Sequence, residues 1–174
     1  MITLCTIDLY DGFVLNKTSD KKYNVAVIEI YSHHVFVHTL VSTLMNLGHN
    51  VTVFTVPRIW NDLIQLFDSE ERFPEVVIRE DGMGDLRFLR KIKKIIDDDF
   101  DLLFINTLQG YRLFFFYVIR FKIRSFAAAG RISEFFGTNY RITGFKNIRK
   151  LLQHNATRFI VPRIIKRLNG LILH

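Results

Sequence analysis

The sequence predicts an α/β domain with an open, mostly parallel sheet of about six strands and helices on both faces. Three observations predict it. Short apolar runs of strand length recur at residues 24–30, 51–56, 75–79, 102–105, 123–129 and 171–173. Segments with apolar residues at helical spacing lie between them. Strands that alternate with helices imply βαβ units, and therefore parallel strands joined by right-handed crossovers.

The elements follow in order. Residues 1–22 stand apart from the alternation as an N-terminal extension. Residues 2–10 and 13–15 flank the turn signal Asp11-Gly12, which suits a short hairpin, and residues 16–22 are a polar linker. Residues 23–174 form the domain proper, a Rossmann-like unit. Its first strand, residues 24–30, is an apolar run of the kind buried on both faces. Val37, Leu40, Val41, Leu44, Met45 and Leu47 then repeat at helical spacing, and Gly48 stops that helix. Residues 51–56 are β-branched and strand-like. Pro57 breaks the run, and residues 59–67 read as a short helix.

A third strand covers residues 75–79, and Gly82 and Gly84 punctuate the chain before a basic amphipathic helix at 85–96. Asp97 to Asp99 reads as a solvated acidic turn. A fourth strand at 102–105 precedes an aromatic helix at 109–120. A fifth strand at 123–129 contains an unexpected Arg124. Residues 145–152 and 158–168 are helical, as two helices or one kinked near Pro162. Gly170 ends them, and residues 171–173 begin the sixth strand.

A chain of 174 residues, 49% of them apolar, fits one domain with a sizeable core. A single cysteine, Cys5, excludes an intramolecular disulfide framework and suits the cytosol. The start lacks the basic n-region of a signal peptide. The longest apolar run, residues 113–119, is far short of the ~20 residues of a membrane span. The expected location is cytoplasmic, with any membrane contact peripheral, at the inner face. The net charge of +7 comes mainly from the second half, where Glu134 is the only acidic residue after Asp101. That asymmetry points either to an anionic partner, such as a phospholipid surface, or to a solvated basic surface. Nucleic-acid modules are not recognisable in it.

Familiar catalytic fingerprints are missing. Tyr31-Ser32-His33-His34 follows the first strand where a dinucleotide-binding GxGxxG would lie. There is no P-loop and no GxSxG elbow. Neighbouring His33 and His34 do not share one metal easily, and Cys5 has no partner, so neither a metal nor another cofactor is expected.

Topology still selects candidates, because open parallel sheets bind ligands beyond the carboxyl ends of their strands. Ser32, His33 and His34 lie there. They either contact ligand or cap the helix entry, the latter being the favoured role of Ser32. Asn106, Thr107 and Gln109 follow the fourth strand and either hydrogen-bond an acceptor or cap the next helix. Arg131 and Ser133 follow the fifth and either bind phosphate or lie in a solvated loop. The aromatic stripe at 113–121, flanked by Arg112, Arg120 and Lys122, is either core or a membrane-surface groove.

Residues 27–55, VIEIYSHHVFVHTLVSTLMNLGHNVTVFT, resemble the opening of GT-B glycosyltransferases, particularly family 4. The ending Gly48-His49-Asn50-Val51-Thr52-Val53-Phe54-Thr55 fits the pattern GH-x-V-T-V-F-T. Residues 101–107 and 168–174 extend the resemblance over about residues 24–174. It implies the acceptor-side half of an enzyme in which two Rossmann-like domains face each other. Such an enzyme transfers a sugar from a nucleotide sugar, held by the C-terminal domain, to a glycan or lipid-linked acceptor. This sequence ends at the sixth strand, so the donor-binding domain is expected to be absent from it and supplied elsewhere. Family members often carry a His-Asn pair after the fifth strand, and Gly130-Arg131 occupies that place here. The domain alone is therefore expected to be inactive, a hexosyltransferase only when completed. The alternative is a non-catalytic Rossmann-like binding module.

Overall fold

The computed structural model describes residues 5–6, 21–31, 34–67, 72–106, 112–129, 159–160 and 162–173. In chain order the elements are β1 (Cys5–Thr6), β2 (Asn24–Glu29), α1 (His34–Asn46), β3 (Asn50–Thr55), α2 (Pro57–Ile64), β4 (Glu75–Ile78), α3 (Asp85–Asp99), β5 (Leu102–Asn106), α4 (Arg112–Val118), β6 (Arg124–Ala129) and β7 (Gly170–Leu173). Residues 159–160 and 162–165 are also helical.

The strands form one seven-stranded sheet in the order β1-β7-β6-β5-β2-β3-β4, and every ladder is parallel. Counted from β2, the order is 3-2-1-4-5-6, the doubly wound Rossmann arrangement. The two-residue β1 adds an edge beside β7. The remainder of the expected hairpin lies outside the described residues.

Strand alternation splits the core in two. Val25 and Val27 of β2 and Val51 and Val53 of β3 face α1 and α2, against Val37, Val41, Leu44, Leu63 and Phe67. Ala26, Ile28, Phe54, Leu103, Ile105 and Ala127 face the opposite way, against Phe88, Leu89, Ile92 and Ile96 of α3 and Phe116, Ile119, Ile160 and Ile164. Helices therefore cover both faces, as the sequence predicts. Burial of each large apolar side chain contributes about 1.5–3 kcal/mol before entropy is counted.

Local chemistry explains the boundaries. Gly48, at φ +87°, ends α1 with a pair of reversed hydrogen bonds. Its N–H donates to the Met45 carbonyl, and the His49 N–H donates to that of Leu44. Pro57, expected only to break β3, instead starts α2 at its first turn, where a missing N–H costs nothing. Asp97 to Asp99 form the last turn of α3 rather than a solvated turn. The Asp97 carboxylate pairs with Lys93 and accepts the Lys122 N–H at 2.7 Å. Those two partners hold an acid at a helix C-terminus that otherwise disfavours it.

Candidate functional site

The strand order reverses between β2 and β5: from β2 the chain winds outward through β3 and β4 on one side, and through β5, β6 and β7 on the other. Ligands in doubly wound sheets bind in the crevice at this point, beyond the carboxyl ends. Three polar residues meet there. Glu29 closes β2, Thr55 closes β3 and Asn106 closes β5. Glu29 and Thr55 are register partners. Asn106 follows Ile105, the partner of Ile28, and so continues the same row on the α1 face. All three are buried, Glu29 and Thr55 completely.

Burial of polar groups on this scale requires partners. The Asn106 side-chain amide donates to the Glu29 carboxylate, and the Tyr31 N–H donates to its other oxygen at 2.5 Å. Among the described residues, two acceptors in the row have no hydrogen-bond partner: Asn106 Oδ1 and Thr55 Oγ1. His34 opens α1 above the same face, and its buried Nδ1 is also unpartnered. The row therefore presents hydrogen-bonding capacity that the described protein groups do not use. It suits a ligand rich in hydroxyl donors, and the N-terminal end of α1 nearby favours negative charge.

On one side of this edge, Arg79 forms an ion pair with Asp85 at the start of α3, and its N–H donates to the Thr55 carbonyl at 2.9 Å. A cavity of about 460 Å³ lies at the other end of the sheet. It is lined by amino-end residues, among them Asn24, Asn50, Arg72, Glu75 and Asp99. That end is closed by polar pairing: Asn50 Nδ2 donates to Asn24 Oδ1 at 2.9 Å, and the Asn24 N–H donates to Asp101 at 2.8 Å.

Of the residues expected from sequence, the structure brings His34 and Asn106 to this edge. Asn106 belongs to β5 and binds Glu29 rather than capping a helix. Ser32, His33, Thr107, Gln109, Arg131 and Ser133 lie outside the described residues. Glu29 and Thr55 were not singled out by sequence reasoning. The available signal was that three apolar strands, NVAVIE, NVTVFT and LLFIN, each end in a polar residue.

The fold and this edge define an open, doubly wound α/β domain with a buried polar row at the carboxyl ends of its central strands. Comparison with protein-family models and with curated proteins found no match to the chain. Among the described residues, no helix is long and apolar enough to cross a membrane, and no group of three His, Cys, Asp or Glu side chains is placed to hold a metal ion.

Proposed function

We propose that the chain is the acceptor-side domain of a glycosyltransferase built from two facing Rossmann-like domains, with a glycan or lipid-linked acceptor held at the switch point. The observation that carries this reading is the buried row Thr55–Glu29–Asn106, with two acceptor atoms left without partners among the described residues. Sugar hydroxyls are donors of the kind such atoms take. The segment that resembles the family, residues 27–55, builds β2, α1 and β3, which supply half of the crevice. A phosphate linking sugar to lipid would sit favourably near the N-terminal end of α1.

In the reaction, an acceptor hydroxyl oxygen bonds to the anomeric carbon of the nucleotide sugar. The bond to the nucleotide's phosphate oxygen breaks, and the hydroxyl proton leaves. This domain's part is to hold and orient the acceptor, while a second domain binds the donor. A neutral His34 could accept a hydroxyl proton or hydrogen-bond the sugar.

Calorimetry with soluble sugar phosphates tests the binding claim. The reading expects binding that Glu29→Gln and Asn106→Leu weaken at least about tenfold, the effect of losing roughly one buried hydrogen bond. Failure of all sugar phosphates to bind, or binding unchanged in both variants, contradicts it. A second reading, a binding module without transfer, is favoured by Gly130-Arg131 at the place of the family's His-Asn pair. Sugar-nucleotide turnover in the presence of a donor-binding domain separates the two.

A further inference from the structure

The surface made by α4 and residues 159–160 and 162–167 combines exposed apolar side chains with cations. Phe116 of α4 and Ile119 just after it are buried with Ile160 and Ile164 in one core cluster. Phe114, Val118 and Phe159 are left exposed, Phe159 at 55%. Arg120, Arg163, Lys166 and Arg167 are exposed beside them. The Arg163 guanidinium lies 3.4 Å from the centre of the Phe159 ring, and its Nη1 donates to the Phe159 carbonyl at 2.7 Å. Arg167 Nη1 donates to the Tyr117 carbonyl at 2.9 Å, which ties the second segment to α4.

We infer that this face docks on an anionic lipid bilayer. Charge complementarity supports the choice. Glu134 is the only acid in sequence after Asp101, and the Asp97 carboxylate, which accepts the Lys122 N–H, is already paired with Lys93. Phe114 and Val118 lie at i and i+4, forming a ridge that can enter the headgroup region, with cations positioned to meet phosphates. A single-stranded nucleic acid fits less well, because base stacking needs open ring faces and the Phe159 ring is covered by Arg163. Crossover helices run antiparallel to the strands, so Phe114 and Phe159, near the N-terminal ends of their segments, point toward the crevice end of the domain. A bilayer on this face would lie beside the switch point, where a lipid-linked acceptor would enter.

The docking face does not depend on sugar transfer. Vesicle flotation needs no sugar, and calorimetry with soluble sugar phosphates needs no vesicle, so either can fail alone. Flotation of the full chain uses vesicles of phosphatidylcholine, with and without phosphatidylglycerol. The expected result is binding to the anionic vesicles only, weakened by salt. Arg120→Gln with Lys166→Gln should lower the partition about fivefold per cation removed. Phe114→Ser should lower it about tenfold, whereas Phe114→Trp should preserve it and shift Trp emission to the blue on vesicles. The inference is overturned if both vesicle types bind equally or neither binds. It is also overturned if folded variants, checked by circular dichroism, partition like the parent, or if the same substitutions abolish RNA binding while vesicles are ignored.

Discussion

The Asn106 side-chain amide donates to the carboxylate of Glu29, 77 residues away in sequence, at the point where the sheet reverses its direction of winding. Both residues are buried, so neither group can exchange its partner for water at no cost. The bond joins the two central strands at the candidate site and leaves the Asn106 amide oxygen, Oδ1, buried without a partner among the described residues.

Asn106→Ala should therefore destabilise the domain by about 1.5–3 kcal/mol, as expected for a buried hydrogen bond to a charged group. Asn106→Asp should be worse at neutral pH, because it sets a second carboxyl against Glu29. Like charges raise the carboxyl pKa in the folded state, so this variant should lose stability as pH rises. Urea unfolding at acid and neutral pH measures both effects.

How much of this was legible in the sequence depends on the kind of signal. Apolar runs and helical spacing revealed the alternation of strands and helices, but not the strand order, because other doubly wound orders fit the same alternation. Asn106 was found because the switch-point rule names the loop after β5. Glu29 was not, because a lone acid inside NVAVIEI reads as an interruption of a strand. Only the register shows that it has Thr55 on one side and Asn106 on the other. The Asp97 to Asp99 run misled for the opposite reason. Its composition suggests solvent, but the N–H of Lys122, in the segment before β6, satisfies Asp97.

That contrast within the acidic run can be measured. The Asp97 carboxylate is 5% exposed with two partners, whereas Asp98 is exposed. Asp97→Ala should cost about 1–3 kcal/mol and Asp98→Ala less than about 0.5 kcal/mol. Thermal unfolding of the two variants side by side should show a lower midpoint for the first alone.

Gly48 carries a backbone requirement rather than a packing one. A Cβ built there meets nothing within 4 Å, yet its φ is +87°. Gly48→Ala should cost about 1–2 kcal/mol, all of it conformational. Gly84→Ala, also in open space but at φ −72°, should cost less. Denaturant midpoints for the pair separate strain from crowding.

On the surface, Lys91 hydrogen-bonds Glu80 and holds its carboxyl below the usual glutamate range. A depressed folded pKa gives stability that is present above the unfolded value and lost as pH falls through the folded one. Both side chains are exposed, so the contribution is small and screened by salt. Lys91→Gln should move the Glu80 titration upward, read by NMR of its side-chain carbon, with little change in unfolding midpoint.

The central claim is that the carboxyl edge, and not the amino-end cavity, is where the domain takes its ligand. Backbone NMR of the full chain, titrated with a soluble sugar phosphate, tests it most directly. The account predicts shifts centred on Glu29, Ile30 and Tyr31, on Thr55 and Val56, and on Asn106. Shifts confined to Asn24, Asn50, Phe73 and Phe100, around the cavity at the opposite end, would contradict it, as would no shifts at all.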